Sequence, residues 1–284
     1  MGDSKSLTLQ ILSDLHLEVS GDYLDFHIPT TAPRLLLAGD IGTLSSPHKL
    51  TGFVECQCSN YEHVYLVLGN HEFYGMTRQA GLEAAAKLEQ EPGAQNKLHI
   101  LQRTRVDLDE RVTLLGCTLQ SHIPPESRDM IQRQINDFRQ IQGWTIDHHN
   151  EEHERDVAWL QSQVQCIAME DPHRSIIIAT HHAPTMKQTS NPIYRDSPRN
   201  CAFATSVIES RARYWKGYKQ IDTWIFGHTH WSTDIKVDHV RVMANQRGYV
   251  LNGKTMEQSA GKKPWYALTK TRFIEFDAGA TITV

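Results

Sequence analysis

Residues 11–19 read ILSDLHLEV, an apolar run that should bury itself as a strand, interrupted by Asp14 and, two places on, by His16. Side chains two apart on a strand share a face, so this spacing would set a carboxylate beside an imidazole at a strand end. Alone, the stretch fits a polar strand end in which Asp14 caps a turn better than it fits half of a metal site. Its meaning depends on how the other strands end.

Leu7 to Leu12, Arg34 to Ala38, Val64 to Leu68, Ile176 to Ala179 and Thr223 to Phe226 are short runs rich in leucine and β-branched residues. Such runs suit strands covered on both faces in a layered α/β fold. The second ends in Gly39-Asp40 and the third in Gly69-Asn70-His71-Glu72. The fourth runs into Thr180-His181-His182-Ala183-Pro184 and the fifth into Gly227-His228-Thr229-His230. Ligands of open α/β sheets sit in the crevice beyond the carboxyl ends of the strands, and glycine lets the backbone turn sharply there. Aspartate with imidazole suits borderline divalent ions rather than calcium, which prefers an all-oxygen shell.

The ordered set DxH, GD, GNHE, an HH step and GHxH resembles the calcineurin-like metallophosphoesterase superfamily, and the NQRGY segment after GHTH resembles its small single-domain fungal and bacterial members. The resemblance implies a four-layer α/β/β/α sandwich, two mixed sheets flanked by helices. By position, it implies that Asp14, His16 and His230 bind one metal ion, that Asn70, His181 and His228 bind a second, and that Asp40 bridges them. His71 would be the acid that meets the substrate, with Glu72 placed to orient its imidazole. The implied cofactor is two divalent ions (Mn, Fe or Zn). The implied reaction is hydrolysis of a phosphate monoester or diester, by in-line attack of a metal-bridging hydroxide. Two divalent ions, two aspartates and one hydroxide leave a charge of roughly +1, which attracts phosphate. A tyrosine ligand in the second motif, as purple acid phosphatases need, is missing, because Ile41 follows Asp40. A protein-binding scaffold with a decayed site is the competing class; every proposed ligand and His71 being present argues against decay.

The bulk composition is consistent with an enzyme of small substrates. The chain has 284 residues, 39% of them hydrophobic, and a formal net charge of −4. A sizeable core is expected, with no general attraction to long nucleic acid or anionic membrane. No apolar run reaches a membrane span, the N-terminus lacks the basic start and apolar core of a signal peptide, and the odd cysteine count suits reduced thiols. The expectation is one domain over residues 1–284, cytoplasmic, with a small phosphorylated substrate as its partner.

Helices are predicted over Thr77 to Gln90 and Glu151 to Met169, and an antiparallel meander over Leu98 to Gln120. A further β-rich region is predicted from Thr233 to Val250 and a strand pair in the tail RFIEFDAGATITV. Ser121 to Asn150 and Pro184 to Asn200 read as long surface segments. Within DHHNEEHERD (147–156), His149 and His153 lie four apart, yet the acidic composition favours a solvated helix start. His182 is expected to support His181 rather than bind metal. His122, Arg195, Arg199, Arg247, Tyr194 and Tyr249 are left without roles, as pocket or surface residues.

Overall fold

The computed structural model describes residues 7–251, 254–255 and 276–284. In chain order its strands are β1 (Thr8–Leu12), β2 (Arg34–Leu37), β3 (His63–Val67), β4 (Leu98–Leu101), β5 (Thr104–Asp107), β6 (Val112–Cys117), β7 (Ser175–Thr180), β8 (Ile221–Ile225), β9 (Thr233–Val237), β10 (Val240–Ala244), β11 (Val250–Leu251), β12 (Lys254–Thr255) and β13 (Thr281–Thr283). The helices are α1 (Leu17–Ser20), α2 (Pro47–Asn60), α3 (Arg78–Glu89), α4 (Arg128–Gln134), α5 (Asp137–Gln140), α6 (Ile146–Glu170) and α7 (Val207–Ser210).

Two mixed sheets face each other. The five-stranded sheet has the order β13-β1-β2-β3-β4, with β1 to β4 parallel and β13 antiparallel at its edge. The six-stranded sheet has the order β5-β6-β7-β8-β10-β9, parallel from β6 to β10 and bordered by antiparallel β5 and β9. Alternation along each strand explains the continuous apolar runs. Leu36 joins Ile177, Ala179 and Ile225 in the cluster between the sheets. Its neighbours Leu35 and Leu37 pack instead with Leu50, Phe53, Ala85 and Leu88 of α2 and α3. On the other side, Ile176 and Ile178 pack against Val157, Leu160, Val164 and Ile167 of α6. Helix, sheet, sheet and helix form the layers, as the resemblance implied. No helix among the described residues is long and apolar enough to cross a membrane.

Several expectations need correction. Leu98 to Gln120 is not one meander, because β4 runs parallel to β3 in the first sheet while β5 pairs antiparallel with β6 in the second. The chain changes sheets at Gln102-Arg103, where Arg103 adopts φ 53°. Ser121 to Asn150 is not simply loop; it holds α4, α5 and the first turn of α6. In the tail, β13 is present, whereas residues 272–275 lie outside the described residues.

Helix α6 starts earlier than predicted, and one face of its start is buried while Asp147, His148 and Glu151 on the other face are exposed. The Thr145 side chain caps it by accepting from the His148 amide. His149 and His153 are 1% and 2% exposed, on the same buried face as Asp156 and Leu160. His153 Nδ1 meets the carbonyls of Leu119 and Gln120 at 3.1 and 3.0 Å. Asp156 accepts from the Leu119 amide at 2.8 Å and from Arg103 Nη1 at 2.7 Å. Polar partners replace the apolar periodicity here, so pattern alone gave no sign of burial. Asp156→Ala should lower stability by about 2–3 kcal/mol through an unsatisfied buried amide; chemical denaturation showing no loss would contradict this role.

Candidate metal centre

The strands deliver their polar ends to one edge of the sandwich, at the seam between the sheets. Asp14 and His16 do not lie on the strand itself, as the spacing argument had it. Strand β1 ends at Leu12, and both residues sit in the following turn with φ 54° and 48°. Asp40, His228 and His230 are also left-handed, at φ 54°, 71° and 50°. Non-glycine residues held there cost about 1 kcal/mol or more each. Backbone bonds fix these turns: the Asp14 amide donates to Gly39 O, and the His16 amide to Asp40 O. Glycine is required where the turns touch, because a Cβ on Gly39 would strike the His181 ring and one on Gly69 the Asp40 carboxylate.

The two sheets are joined through the site. The His228 amide, beyond β8, donates to Asp14 Oδ1 at 2.9 Å. His181, beyond β7, donates from Nδ1 to the Ala38 carbonyl at 2.9 Å. That bond engages Nδ1 and fixes the ring, so Nε2 is the nitrogen turned to the site. Nε2 lies 3.0 Å from Asn70 Oδ1 and 3.3 Å from Asp40 Oδ1. The Asn70 amide is oriented as firmly, because Nδ2 donates to Asp137 Oδ1 at 2.8 Å and to the Tyr74 hydroxyl at 3.1 Å. Nε2, Asn70 Oδ1 and Asp40 Oδ1 therefore converge on one point, where a divalent ion could take the place of the His181 proton.

Side chains with possible metal-ligand atoms form three overlapping groups among the described residues: Asp14, His16 and His230; His16, Asp40 and His71; Asp40, His181 and His228. His16 Nε2 and His230 Nε2 approach to 2.8 Å, and His230 Nε2 lies 3.5 Å from Asp14 Oδ1. Asp40 stands between the outer groups, with Oδ1 toward His181 and Oδ2 3.8 Å from His16 Nε2. His228 Nε2 is buried without a hydrogen-bond partner among the described residues. Every residue assigned from the motifs is thus at this seam, and the donor set fits divalent ions of borderline softness.

The electrostatics of the side chains point the same way. Burial carries the Asp14 carboxyl up to about 6, assisted by the Asp40 charge and opposed by His181. Burial would lower His181, but Asp40 and Asp14 outweigh it and hold the ring up to about 10. Burial drives His230 down to about 3 and His228 well below the ordinary imidazole value, leaving their lone pairs free. Without another cation in reach, the carboxylates keep a proton on His181.

Two carboxylates change roles relative to the sequence reading. Glu72 does not orient His71; it is fully buried and accepts the amides of Gly69, Asp40 and Ile41 at 2.7, 3.0 and 2.8 Å. It clamps the GD turn to the GN turn. The residue that meets His71 Nδ1, at 2.7 Å, is Glu18. Asp137 was missed outright, since nothing in its polar segment announces a contact with Asn70.

The remaining candidates divide. Tyr194, Arg199 and Tyr249 line a cavity of about 330 Å³ that opens on Asp40, His71 and His228. Arg195 borders a neighbouring cavity. Arg247 bonds the Leu15 carbonyl and lies over the Phe26 ring, which makes it a brace. His122 is exposed and outside both linings. His182 is buried against the His228 ring at 4.1 Å and belongs to none of the three groups.

A model of the calcineurin-like phosphoesterase family matches residues 7–232. The chain is similar to uncharacterized protein L509 of Acanthamoeba polyphaga mimivirus, 25% identical over 267 residues, which cover 85% of this chain and 91% of that one. Among solved structures, phosphopantetheinyl hydrolase (PptH) from Mycobacterium tuberculosis has a TM-score of 0.65 at 16% identity, covering 92% of this chain and 94% of that one. GAP50, the anchor in the inner membrane complex of Plasmodium, has a TM-score of 0.50 at 14% identity, covering 96% and 79%. These structural likenesses concern the fold.

The Glu18–His71 pair has a defined pH signature in metal-free protein. Burial opposes a charge on His71, but Asp40 and Glu18 outweigh it and carry the imidazole from 6.5 up to about 9. A pKa raised on folding contributes stability that is full below the unfolded value and is lost as pH rises through the folded one. Glu18→Gln should therefore lower the His71 pKa, and should destabilise metal-free protein more at pH 6 than at pH 10. Imidazole NMR titration and melting curves test this; an unmoved His71 titration would contradict the pairing.

Proposed function

The chain belongs to the calcineurin-like phosphoesterase family, and from that membership and its metal centre we propose a phosphoric ester hydrolase that holds two divalent ions. Asp14, His16 and His230 would hold one, and Asn70, His181 and His228 the other, with Asp40 shared. The observation that carries this reading is the Asp40 carboxylate, which turns one oxygen toward His181 and the other toward His16. When bound, such ions supply positive charge against phosphate oxygens and a lowered pKa for water.

The chain's own residues do the rest. The amides of His228 and His71 donate to Asp14 and Asp40 at 2.9 Å each, holding both carboxylates in place. Glu18 fixes His71 so that its Nε2 faces the cavity, where a departing oxygen needs a proton partner. The cavity volume, about 330 Å³, is at the lower end of the roughly 300–1,000 Å³ of small-ligand sites. Arg199 is the one lysine or arginine in its described lining. Both features favour a small phosphorylated compound, monoester or diester, over a long nucleic acid.

Chelation should abolish hydrolysis of p-nitrophenyl phosphate or bis(p-nitrophenyl) phosphate, and Mn should restore it. If metal-loaded protein hydrolyses neither ester and no nucleotide, the hydrolase reading fails in favour of a scaffold. Asp40→Ala should lose both ions and all turnover. His71→Ala should keep both ions while turnover falls on the order of a hundredfold. Metal analysis of the two variants decides: two full ions in the Asp40 variant would refute the shared carboxylate.

A further inference from the structure

Residues 245–249, NQRGY, supply none of the proposed ligands, yet they are bonded to both of the turns that carry the first ion's ligands. Asn245 Nδ2 donates to the Ile11 carbonyl at 2.7 Å. Gln246 Nε2 donates to Thr229 Oγ1 at 3.0 Å and to the Trp231 carbonyl at 3.1 Å. The Arg247 amide donates to Ser13 O at 3.1 Å, and its guanidinium to Leu15 O at 3.2 Å. Gly248 then turns with φ 69°, against the His230 side chain. The segment cannot shift without breaking bonds on both sides.

What this bracing positions is Tyr249. Its ring centroid lies 4.3 Å from that of His16 and 4.7 Å from that of His230, and its hydroxyl lies 3.0 Å from His71 Nε2. His71 Nδ1 is already engaged by Glu18. Nε2 is therefore the one ring nitrogen His71 can offer the cavity, and the Tyr249 oxygen stands beside it. A phenol has one hydrogen and two lone pairs, so an oxygen that meets His71 on one side can meet a substrate oxygen on another. Tyr249 lines the same cavity as His71 and Asp40.

We propose that Tyr249 is a catalytic residue whose hydroxyl donates a hydrogen bond to the oxygen departing from phosphorus; this rests on the phosphoesterase reading. In the net reaction, ester and water give alcohol and phosphate. The P–O bond to the alcohol oxygen breaks, its electron pair stays on that oxygen, and the proton given up by water ends there. In an in-line displacement the entering and departing oxygens lie on opposite sides of phosphorus, so the departing one needs a donor of its own. A donor held in place beforehand stabilises that growing charge without reorganising.

Tyr249→Phe keeps the ring and removes the hydroxyl, and with it both the donor and the contact with His71 Nε2. Wild type and variant, both Mn-loaded, would be compared on phenyl and p-nitrophenyl esters of whichever class the wild type hydrolyses. The phenyl ester has the more basic departing oxygen. Its kcat should fall on the order of a hundredfold and that of the p-nitrophenyl ester several-fold less, with KM, metal content and melting temperature unchanged. An equal loss on both esters, no loss, or a variant that sheds its ions or unfolds would overturn the proposal. Inactivity of the wild type on every ester would instead bring down the phosphoesterase reading, and this one with it.

Discussion

The Asp40 carboxylate lies almost wholly out of solvent, 1% exposed, where the two sheets meet. Its two oxygens turn toward histidines from different parts of the chain, His181 after β7 and His16 after β1. Asp14 is equally buried and accepts the amide of His228 from the opposite sheet. A buried carboxylate is costly unless paired with charge and hydrogen bonds. The sandwich is built around that demand, with amides aimed at the carboxylates and imidazoles around them. What the side chains alone do not provide is enough positive charge, and divalent ions would complete the balance.

Around this centre a second ring of residues fixes direction more than charge. The Ala38 carbonyl sets the orientation of the His181 ring, Asp137 and Tyr74 turn the Asn70 amide, and Glu72 ties two turns together. Glu18 and Tyr249 hold the two ring nitrogens of His71. The left-handed backbone of Asp14, His16, Asp40, His228 and His230 is strain that such bonding can sustain. Substitution in this ring would disturb the site while leaving every ligand in the sequence.

Much of the layered fold, and the gathering of the eight motif residues at one edge, was legible, because strands buried on both faces are continuous apolar runs and each terminates in its polar motif. The rest was hidden for physical reasons. Period-two spacing puts Glu18 on the same strand face as Asp14 and His16, but the chain turns into α1 after His16, and that turn brings Glu18 to His71. Asp137 reaches Asn70 across 67 positions of sequence, from a segment with no periodicity. His149, His153 and Asp156 are buried by hydrogen bonding rather than hydrophobicity, so α6 looked shorter and wetter than it is. Strands β4 and β5 read as neighbours because they adjoin in sequence, whereas the connection between them changes sheets.

The central claim is that one carboxylate joins two ions. Crystals of the full chain loaded with Mn, measured at a wavelength where Mn scatters anomalously, test it most directly. Two peaks per chain are expected, one on either side of the Asp40 carboxylate, the first bounded by Asp14, His16 and His230 and the second by Asn70, His181 and His228. A single peak at saturating Mn, or a second peak that does not touch Asp40, would contradict it.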